Sequence, residues 1–293
     1  MSYKVGSMKY IAITGVSTGI GYATAAHLIA HGYHVFGSVR RPADADCLKD
    51  EWGENFTPLL FDVTDDNAIK MAVCQVESRI GDVGLSALIN NAGIFKLGPL
   101  ASISLPDFRT LFEVNLFGVL NVTQAFLPLL GAQKNVHYPP GRIINISSTG
   151  GRIAYPFMGA YTASKHALEA LSDTLRRELV IYGIDVIVIE PGLVDTPIIN
   201  KAEEQTAHFL TNTDYEIFSE TLQAQIAKDK RIALPVALIS RTIHKALETP
   251  RPKSRYPVIS RRFVGWLLPR LLPARWVDRL IARQLGFKKI TTI

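Results

Sequence analysis

Short apolar runs alternate with amphipathic stretches along the first 190 residues of the chain. The apolar runs are rich in β-branched residues and predict six strands, at residues 10–14, 35–39, 59–63, 85–89, 142–147 and 184–189. The amphipathic stretches predict helices at residues 23–30, 65–80, 107–130 and 158–182. Strands that alternate with helices indicate a parallel sheet covered by helices on both faces, so we predict a doubly wound α/β domain.

The pattern changes after residue 200. Residues 200–231 are polar with helical spacing, and residues 235–247 predict a further helix that ends before Pro250. Residues 256–289 interleave leucines and two tryptophans with arginines and lysines, and Pro269 and Pro273 divide this run into short pieces. We therefore predict a single α/β domain at residues 1–255, followed by a basic, apolar, helical C-terminal extension at residues 256–293.

The composition is that of an ordinary globular protein, with 47% hydrophobic and 20% charged residues. The net charge of +6 arises in the extension, because residues 251–293 contain eleven Lys or Arg residues and a single acidic one. Cys47 and Cys74 are too few for a disulfide framework and suit a reducing compartment. We find neither an apolar leader nor an uninterrupted apolar run of about 18 residues, so we expect a cytoplasmic protein without a membrane-spanning helix.

A glycine-rich turn joins the first predicted strand to the first predicted helix. It reads Gly-Val-Ser-Thr-Gly-Ile-Gly at residues 15–21. Glycines let a backbone turn sharply and approach a pyrophosphate, whose charge is then met by the N–H groups at the start of the helix. In this strand–turn–helix context the turn predicts a dinucleotide site, although a glycine-rich turn can also merely connect two elements.

Arg40 and Arg41 follow the second strand, where dinucleotide-binding sheets contact the adenosine ribose. An acidic residue at this place would accept from a ribose 2′-hydroxyl and repel a 2′-phosphate. A guanidinium instead suits a phosphate through its paired N–H donors, so the sequence favours NADP(H) over NAD(H). The alternative is that both arginines form a solvated pair in a turn.

Tyr161 and Lys165 are four residues apart in a predicted helix and therefore project from the same face. A nearby ammonium favours the phenolate and would lower the pKa of the tyrosine from its ordinary value of ~10 toward neutral pH. Tyr161 could then exchange a proton with an alcohol or a carbonyl. Ser148 ends a strand-like run, which places its hydroxyl at the carboxyl end of the sheet, where open α/β sheets bind ligands.

Other motifs accompany these residues. Asn-Asn-Ala-Gly follows the fourth strand at residues 90–93, Asn115 lies in the long helical stretch, and Pro191-Gly192 follows the sixth strand. Together with the glycine turn and the Tyr161–Lys165 pair, they resemble the short-chain dehydrogenase/reductase family, in particular its retinol and hydroxysteroid dehydrogenase-like members. The resemblance extends from about residue 8 to about residue 200 and implies a Rossmann-type fold with a substrate lid at about residues 196–231.

The same resemblance implies roles for individual residues. Its catalytic set would be Ser148, Tyr161, Lys165 and Asn115. In this set the serine holds the substrate oxygen, the tyrosine transfers a proton, the lysine grips the nicotinamide ribose and the asparagine holds a water molecule of a proton relay. The cofactor contacts that it implies are Gly15, Ser17, Thr18, Gly19, Ile20, Gly21, Arg40, Asp62, Val63, Asn91, Ala92, Gly93, Tyr161, Lys165, Pro191, Gly192, Val194 and Thr196.

We therefore expect an NADP(H)-preferring oxidoreductase that interconverts an alcohol and a carbonyl, with the cofactor carrying the redox chemistry. Relatives pair their long helices across two-fold axes, so the resemblance implies a homodimer or homotetramer. The alternatives are a small-carbonyl or 3-oxoacyl reductase, a cofactor-binding regulatory module without turnover, and a membrane-surface protein that uses the Rossmann core as a scaffold.

The extension bears on the substrate. Its many apolar side chains must be covered by the core, by a second subunit or by lipid at a membrane surface. If the extension closes the substrate pocket, the substrate is a small apolar molecule such as a steroid, a retinoid or a long-chain carbonyl compound. Nucleic acid is a poorer partner, because leucine-rich helical spacing supplies no platform on which bases could stack.

No metal site is predicted. His27 and His31 are four residues apart on the first predicted helix, but the sequence offers no third ligand beside them. We therefore interpret both as exposed residues.

Overall fold

The computed structural model describes residues 8–197, 210–211, 213–260 and 266–287. In this part of the chain seven strands form one parallel sheet in the order β3-β2-β1-β4-β5-β6-β7. The strands are β1 (Lys9–Ile13), β2 (Tyr33–Val39), β3 (Phe56–Leu60), β4 (Ala87–Asn90), β5 (Arg142–Ile146), β6 (Asp185–Pro191) and β7 (Arg255–Val258).

The order reverses between β1 and β4, which are neighbours although two strands separate them in sequence. The chain first extends the sheet outward from β1 to β3 and then returns to extend it in the other direction from β4 to β7. Loops after β1 and after β4 therefore diverge at this point and leave a crevice at the carboxyl ends of the strands, where sheets of this type bind their ligands.

Helices cover both faces of the sheet, as the alternation of strands and helices predicted. They are α1 (Gly19–Ala30), α2 (Pro42–Trp52), α3 (Asp66–Ile80), α4 (Leu105–Phe112), α5 (Gly118–Phe126), α6 (Gly159–Glu178), α7 (Ser219–Arg231), α8 (Val236–Glu248), α9 (Leu268–Leu271) and α10 (Ala274–Gln284). Alternate residues of one strand serve opposite cores: Ile11 packs in the layer with α1 and α8, while Ala12 packs in the layer with α3 and α5. The prediction of a doubly wound α/β fold is confirmed.

Two strands differ from the prediction because proline lies inside them. β3 begins at Phe56 rather than at residue 59 and contains Pro58, and β7, which was not predicted, contains Pro257. Each is an edge strand of the sheet. A proline that lacks an N–H is tolerated on an edge, whereas in a sequence it argues against a strand.

The long helix predicted at residues 107–130 is divided. A π-helical turn, Glu113–Phe117, separates α4 from α5, and a 3₁₀ turn at Pro128–Leu130 ends the run. The predicted helix at residues 158–182 is α6 followed by the 3₁₀ turn Leu179–Tyr182. Helix α2 was not predicted, because its sequence is polar and only Leu48 of its side chains is buried.

No helix in the described part of the chain is both long and apolar enough to cross a bilayer. Of the predicted lid, residues 198–209 and 212 lie outside the described residues, and α7 forms the end of the remainder. The described parts of the extension are β7, which completes the sheet, and the two helices α9 and α10.

Candidate active site

Tyr161 and Lys165 lie one turn apart near the start of α6, as their spacing predicted. The Lys165 side chain is buried, and its Nζ donates to the carbonyl oxygen of Ile146 at the end of β5 at 2.9 Å. The ammonium lies 5.9 Å from the centroid of the Tyr161 ring. The ring of Phe95 meets the Tyr161 ring edge to face at 4.9 Å between centroids. Backbone and aromatic contacts thus hold both side chains at the carboxyl end of the sheet.

Burial dominates the proton affinities of this pair. It raises the pKa of Tyr161, and a hydrogen bond with Ser148 opposes the rise. Burial lowers the pKa of Lys165 to about 8, and the carboxylate of Glu169 opposes that fall. The sequence led us to expect that Lys165 would lower the pKa of the tyrosine, but the structure gives the opposite direction. The reason is that both groups are desolvated and the lysine ammonium bonds to a backbone carbonyl.

Ser148 lies just beyond β5 and faces Tyr161. Its Oγ accepts from the Gly150 N–H at 3.0 Å, which orients the hydroxyl, and it also forms a hydrogen bond with the Tyr161 side chain. A Cβ at residue 150 would lie 3.4 Å from the Ser148 Oγ and from a Tyr161 ring carbon. Glycine at 150 therefore leaves the approach to both hydroxyls open.

Asn115 occupies the π-helical turn and is fully buried. Its Oδ1 accepts from the Ile94 N–H at 2.8 Å, and its Nδ2 donates to the Ile94 carbonyl at 2.9 Å and to the Ser164 Oγ at 3.1 Å. A Cβ at Gly93 would lie 3.2 Å from the Asn115 Oδ1 and 3.8 Å from the Lys165 Nζ. The glycine thus preserves a space between the amide of Asn115 and the ammonium of Lys165.

Glu169, one turn beyond Lys165, belongs to a buried cluster of charges. Arg255 of β7 donates from Nε to Glu169 at 2.9 Å and lies 3.4 Å from Glu190, whose side chain has no exposed surface. Arg152 approaches the same Glu190 carboxylate at 3.5 Å. Burial raises the pKa of Glu190, and the neighbouring Glu169 raises it further. The cluster joins the edge strand of the extension to the helix that carries Tyr161 and Lys165.

The glycine turn after β1 has the form that a pyrophosphate needs. Gly15 and Gly19 have positive φ angles of 71° and 60°, and a Cβ at Gly21 would lie 2.1 Å from the Gly15 carbonyl oxygen. Helix α1, which follows, has no side-chain cap from Thr18 and no acidic residue in its first turn. Its first N–H groups are therefore available to an anion, so the residues of this turn fit the diphosphate of a dinucleotide.

Residues 90–93 stabilise the glycine turn through hydrogen bonds. The Thr14 Oγ1 accepts from the N–H groups of Asn91 and Ala92, both at 2.9 Å. The Asn91 Nδ2 donates to the carbonyl oxygens of Thr14 and Gly15, also at 2.9 Å. These bonds hold the ends of β1 and β4 together at the place where the strand order reverses.

The two arginines after β2 have different environments. Arg41 precedes α2 and donates twice to Asp44 of that helix, from Nε at 2.9 Å and from Nη2 at 2.6 Å. Arg40 is 74% exposed and approaches Asp62 only to 3.7 Å. The Oδ1 of Asp62 accepts from the N–H and the hydroxyl of Thr64 at 3.0 and 2.8 Å. Arg40 and Asp62 therefore face each other beyond the ends of β2 and β3, while Arg41 is held by α2.

One cleft of about 960 Å³ collects the predicted site residues. All of them line it except Gly21 and Asn115, which lie behind its wall. The remaining predicted residues reach it in three groups: from the turn after β1, from the ends of β2, β3 and β4, and from the loops after β5 and β6 together with the start of α6. The structure thus brings together at one edge of the sheet residues that are up to 181 positions apart, from Gly15 to Thr196.

Other residues that line the cleft were not found from the sequence. Tyr155 precedes α6, and Gln225 and Asp229 belong to α7. The Gln225 Nε2 donates to Asp229 at 2.9 Å, and burial raises the pKa of the Asp229 carboxyl. The sequence context of Gln225 and Asp229 is an ordinary polar helix and Tyr155 lies in a loop, so no signal in the sequence singled out these residues.

The C-terminal extension closes one side of the cleft. Its apolar side chains in the wall are Ile259, Leu268, Pro269, Leu272, Val277, Leu280 and Leu285. Aromatic contacts hold its end in place: the ring of Phe287 lies 5.8 Å from Phe157 in the loop before α6 and 4.8 Å from Phe218 before α7. The sequence left open whether the core, a second subunit or lipid covers the apolar side chains of the extension. The described helices of the extension contact the core, although Leu271 and Trp276 point outward and are exposed.

The seven-stranded parallel sheet and the cleft at its switch point have the form of a dinucleotide-binding fold. The family model described as short chain dehydrogenase matches residues 9–207. An NADPH-dependent 3-dehydrocapnine reductase of Ornithobacterium rhinotracheale is 40% identical over 97% of this chain and 99% of its own. Dehydrogenase/reductase SDR family member 9 of Bos taurus is 34% identical over 94% of this chain and 88% of its own. A short-chain dehydrogenase from Streptomyces avermitilis has a similar structure, with a TM-score of 0.75 and 27% identity over 96% of each chain. The protein belongs to the short-chain dehydrogenase/reductase family.

Proposed function

We propose that the protein is an NADPH-preferring reductase that converts a carbonyl group on a lipophilic substrate to an alcohol. The observation that carries the proposal is the cleft itself: Ser148, Tyr161 and Lys165 lie on one side of it, and the leucine-rich extension lies in its wall. When bound, a nicotinamide cofactor supplies the hydride. The chain supplies the proton, the position of the substrate and the exclusion of water.

Tyr161 is the proton donor in this proposal. Because burial raises the pKa of its phenol, the residue is protonated at neutral pH, as an acid in carbonyl reduction must be. The Ser148 hydroxyl, which is hydrogen-bonded to Tyr161 and oriented by the Gly150 N–H, would donate to the same substrate oxygen in this proposal. In the reverse direction the same two groups would bind the alcohol oxygen, and Tyr161, as the phenolate, would take the proton of the alcohol.

Lys165 and Asn115 return the proton to Tyr161. One of the three N–H donors of Lys165 goes to Ile146, and in this proposal the others would bind the hydroxyls of a nicotinamide ribose. The lowered pKa of Lys165, about 8, suits a group that releases and regains a proton near neutral pH. Gly93 keeps a space between Lys165 and the Asn115 amide, which we assign to a water molecule of the relay.

The preference for NADPH rests on Arg40. This side chain lines the cleft beyond β2 and is exposed, so it can swing onto a 2′-phosphate, whereas Arg41 is held by Asp44. Two relatives support this choice. The relative of 40% identity is named as NADPH-dependent, and a serine dehydrogenase of similar structure, with a TM-score of 0.72 and 25% identity, was solved with NADP⁺.

The proposal that the substrate is lipophilic is based on the apolar wall that the extension forms in the cleft. Its leucines and valine would lose water-exposed apolar surface against a bulky apolar ligand, which favours binding by about 25 cal/mol for each Å² that is covered. Asp229 and Tyr155 are polar groups that line the same cleft and are not used by the catalytic set. An amine or hydroxyl on an otherwise apolar substrate would find an acceptor in the Asp229 carboxylate.

The test of the reaction is Tyr161→Phe. We expect turnover with NADPH and a panel of apolar and small ketones to fall by at least ~10²-fold, because the substituted ring has no proton to transfer. Binding of NADPH, measured by fluorescence titration, should be nearly unchanged. Tyr155→Phe removes a hydroxyl from the same cleft and is the matched control, with turnover retained. Turnover retained in Tyr161→Phe would contradict the mechanism.

Assembly into a homodimer or homotetramer and contact of the extension with a membrane surface stay predictions. The exposed side chains of Leu271 and Trp276 beside Arg270 and Arg275 supply the apolar and basic groups that a lipid surface would take. Light scattering of the purified protein tests the first prediction, and flotation with anionic liposomes tests the second.

A further inference from the structure

Three histidines meet on the surface where α1 packs against α8. His27 and His31 are one turn apart near the end of α1, and His244 reaches them from α8. One ring nitrogen from each lies within 4.8 Å of the others. None of the three lines the active-site cleft, and at a rise of about 1.5 Å for each residue they lie roughly 12 to 18 Å along α1 from the glycine turn. The interpretation of His27 and His31 as isolated exposed residues was therefore incomplete.

Two of these nitrogens, on His27 and His244, are separated by nearly the distance between two ligands on one metal ion. The Nε2 of His27 and the Nδ1 of His244 are 3.1 Å apart. Two imidazole nitrogens at about 2.0 to 2.1 Å from a tetrahedral ion are separated by roughly 3.3 Å. A cation could therefore replace the shared proton between these two rings with a movement of only a few tenths of an ångström.

The third ring, that of His31, has a nitrogen within 4.8 Å of a ring nitrogen on each of the other two histidines. The Nδ1 of His31 bonds to the carbonyl oxygen of His27 at 2.7 Å, so this nitrogen carries the proton and Nε2 is left as the lone-pair donor. Histidines that bind metals are commonly oriented by such a bond from the other ring nitrogen. The His31 ring also packs on both neighbours, with centroids 4.2 Å from His27 and 4.6 Å from His244.

Tyr33 and Glu248 hold His244 in place, and Glu248 compensates the charge of the nearby Lys9. The Tyr33 ring meets His244 edge to face at 5.7 Å, and its hydroxyl donates to Glu248, one turn after His244. Lys9 is paired with the same Glu248 at 2.9 Å, so its charge is compensated.

We propose that His27, His31 and His244 form a binding site for a divalent transition-metal cation that favours imidazole, with Zn²⁺ as the best fit. Three imidazoles supply three corners of a tetrahedron, and the exposure of His31 leaves the fourth corner to water. A bound ion would join α1, which starts at the cofactor turn, to α8, which lies more than 200 residues later in the chain. The consequence is a metal-dependent stabilisation of the layer that supports the cofactor site.

The test uses the full-length protein after removal of metal with a chelator. Zn²⁺ is titrated by calorimetry, and Co²⁺ is added separately because its visible absorption reports a tetrahedral site. We expect one ion for each chain and a melting temperature that rises with Zn²⁺. His31→Gln should weaken Zn²⁺ binding by at least about tenfold and abolish the thermal shift. His31 is exposed, so this variant should fold normally, which circular dichroism checks.

His244→Gln gives a second test from the opposite helix, and His137→Gln is the control, because His137 is an exposed histidine on the loop before β5. The control should bind Zn²⁺ as the wild type does. Absence of Zn²⁺ binding to the wild type at micromolar concentration would overturn the proposal. Binding that is equally strong in His31→Gln and His244→Gln would also overturn it, because the ion would then lie elsewhere.

Discussion

We propose that the choice of cofactor depends on Arg40, and Arg40→Asp tests this proposal. In the structure the Arg40 guanidinium lies 3.7 Å from the Asp62 carboxylate and is 74% exposed, so it can move to a 2′-phosphate at little cost. The substitution removes that cation and places a second carboxylate beside Asp62. Two acidic groups at this place should repel a 2′-phosphate and accept from a 2′-hydroxyl, so we expect the preference to change from NADPH to NADH.

The magnitude follows from the bond that is lost. A hydrogen bond to a charged group contributes about 1.5 to 3 kcal/mol, and each 1.4 kcal/mol corresponds to a factor of about ten. Arg40→Ala should therefore lower the ratio of kcat/KM for NADPH to that for NADH by roughly 10- to 150-fold. Arg40→Asp should lower it further, because repulsion replaces the lost attraction.

The assay measures kcat/KM for both cofactors with one carbonyl substrate, together with cofactor binding by fluorescence, which needs no substrate. Arg41→Ala is the matched control, since Arg41 is the adjacent arginine and donates twice to Asp44 rather than facing the cleft. This variant should keep the ratio of the wild type. The reasoning is refuted if the wild type prefers NADH, or if Arg40→Ala and Arg41→Ala change the ratio equally.

Further predictions concern stability and the substrate. Burial lowers the pKa of His34 to about 4 from 6.5, so the unfolded chain binds a proton that the folded chain excludes. The contribution of neutral His34 to the free energy of unfolding is present at pH 7. It is lost as pH falls from about 6.5 toward 4, and about 2 kcal/mol of it is lost at pH 5. Urea unfolding at the two pH values should show that His34→Gln removes this part of the loss, whereas the exposed His137→Gln does not; an unchanged loss in His34→Gln would exclude His34 as its source. Leu272→Gln should raise KM for bulky apolar ketones far more than for small ones, because Leu272 lines the cleft, and the exposed Leu271→Gln should change neither. Equal increases for both substrate sizes would mean that the extension does not determine the substrate.

Local patterns predicted much of the site because its parts are local. The glycine turn is contiguous in sequence, and its context of strand and helix is visible from apolar periodicity. Tyr161 and Lys165 share a face because four residues make about one turn of a helix, wherever that helix packs. The order of strands and helices also follows from the pattern, since parallel strands need crossover connections.

Contacts between distant segments produced what the sequence did not show. Asn115 was expected in an ordinary helix, and the structure places it in a π-helical turn, where its amide bonds to Ile94 and to Ser164 of another helix. Arg40 and Arg41 are equivalent in the sequence, but Asp44 holds only one of them. The direction of the Tyr161 pKa depends on burial, a property of the assembled core that no spacing reveals.

The extension and the histidine cluster show the same division. In the extension, the alternation of leucine and arginine indicated an apolar face. Only the packing of the extension against Phe157 and Phe218 showed that this face closes the cleft. His27 and His31 are a readable pair, and His244 joins them only because α8 packs against α1. Periodicity is a property of neighbouring residues and can be read from the chain. Desolvation, ligand sets and pocket walls arise from segments that are far apart in sequence, so they exist only once the chain has folded.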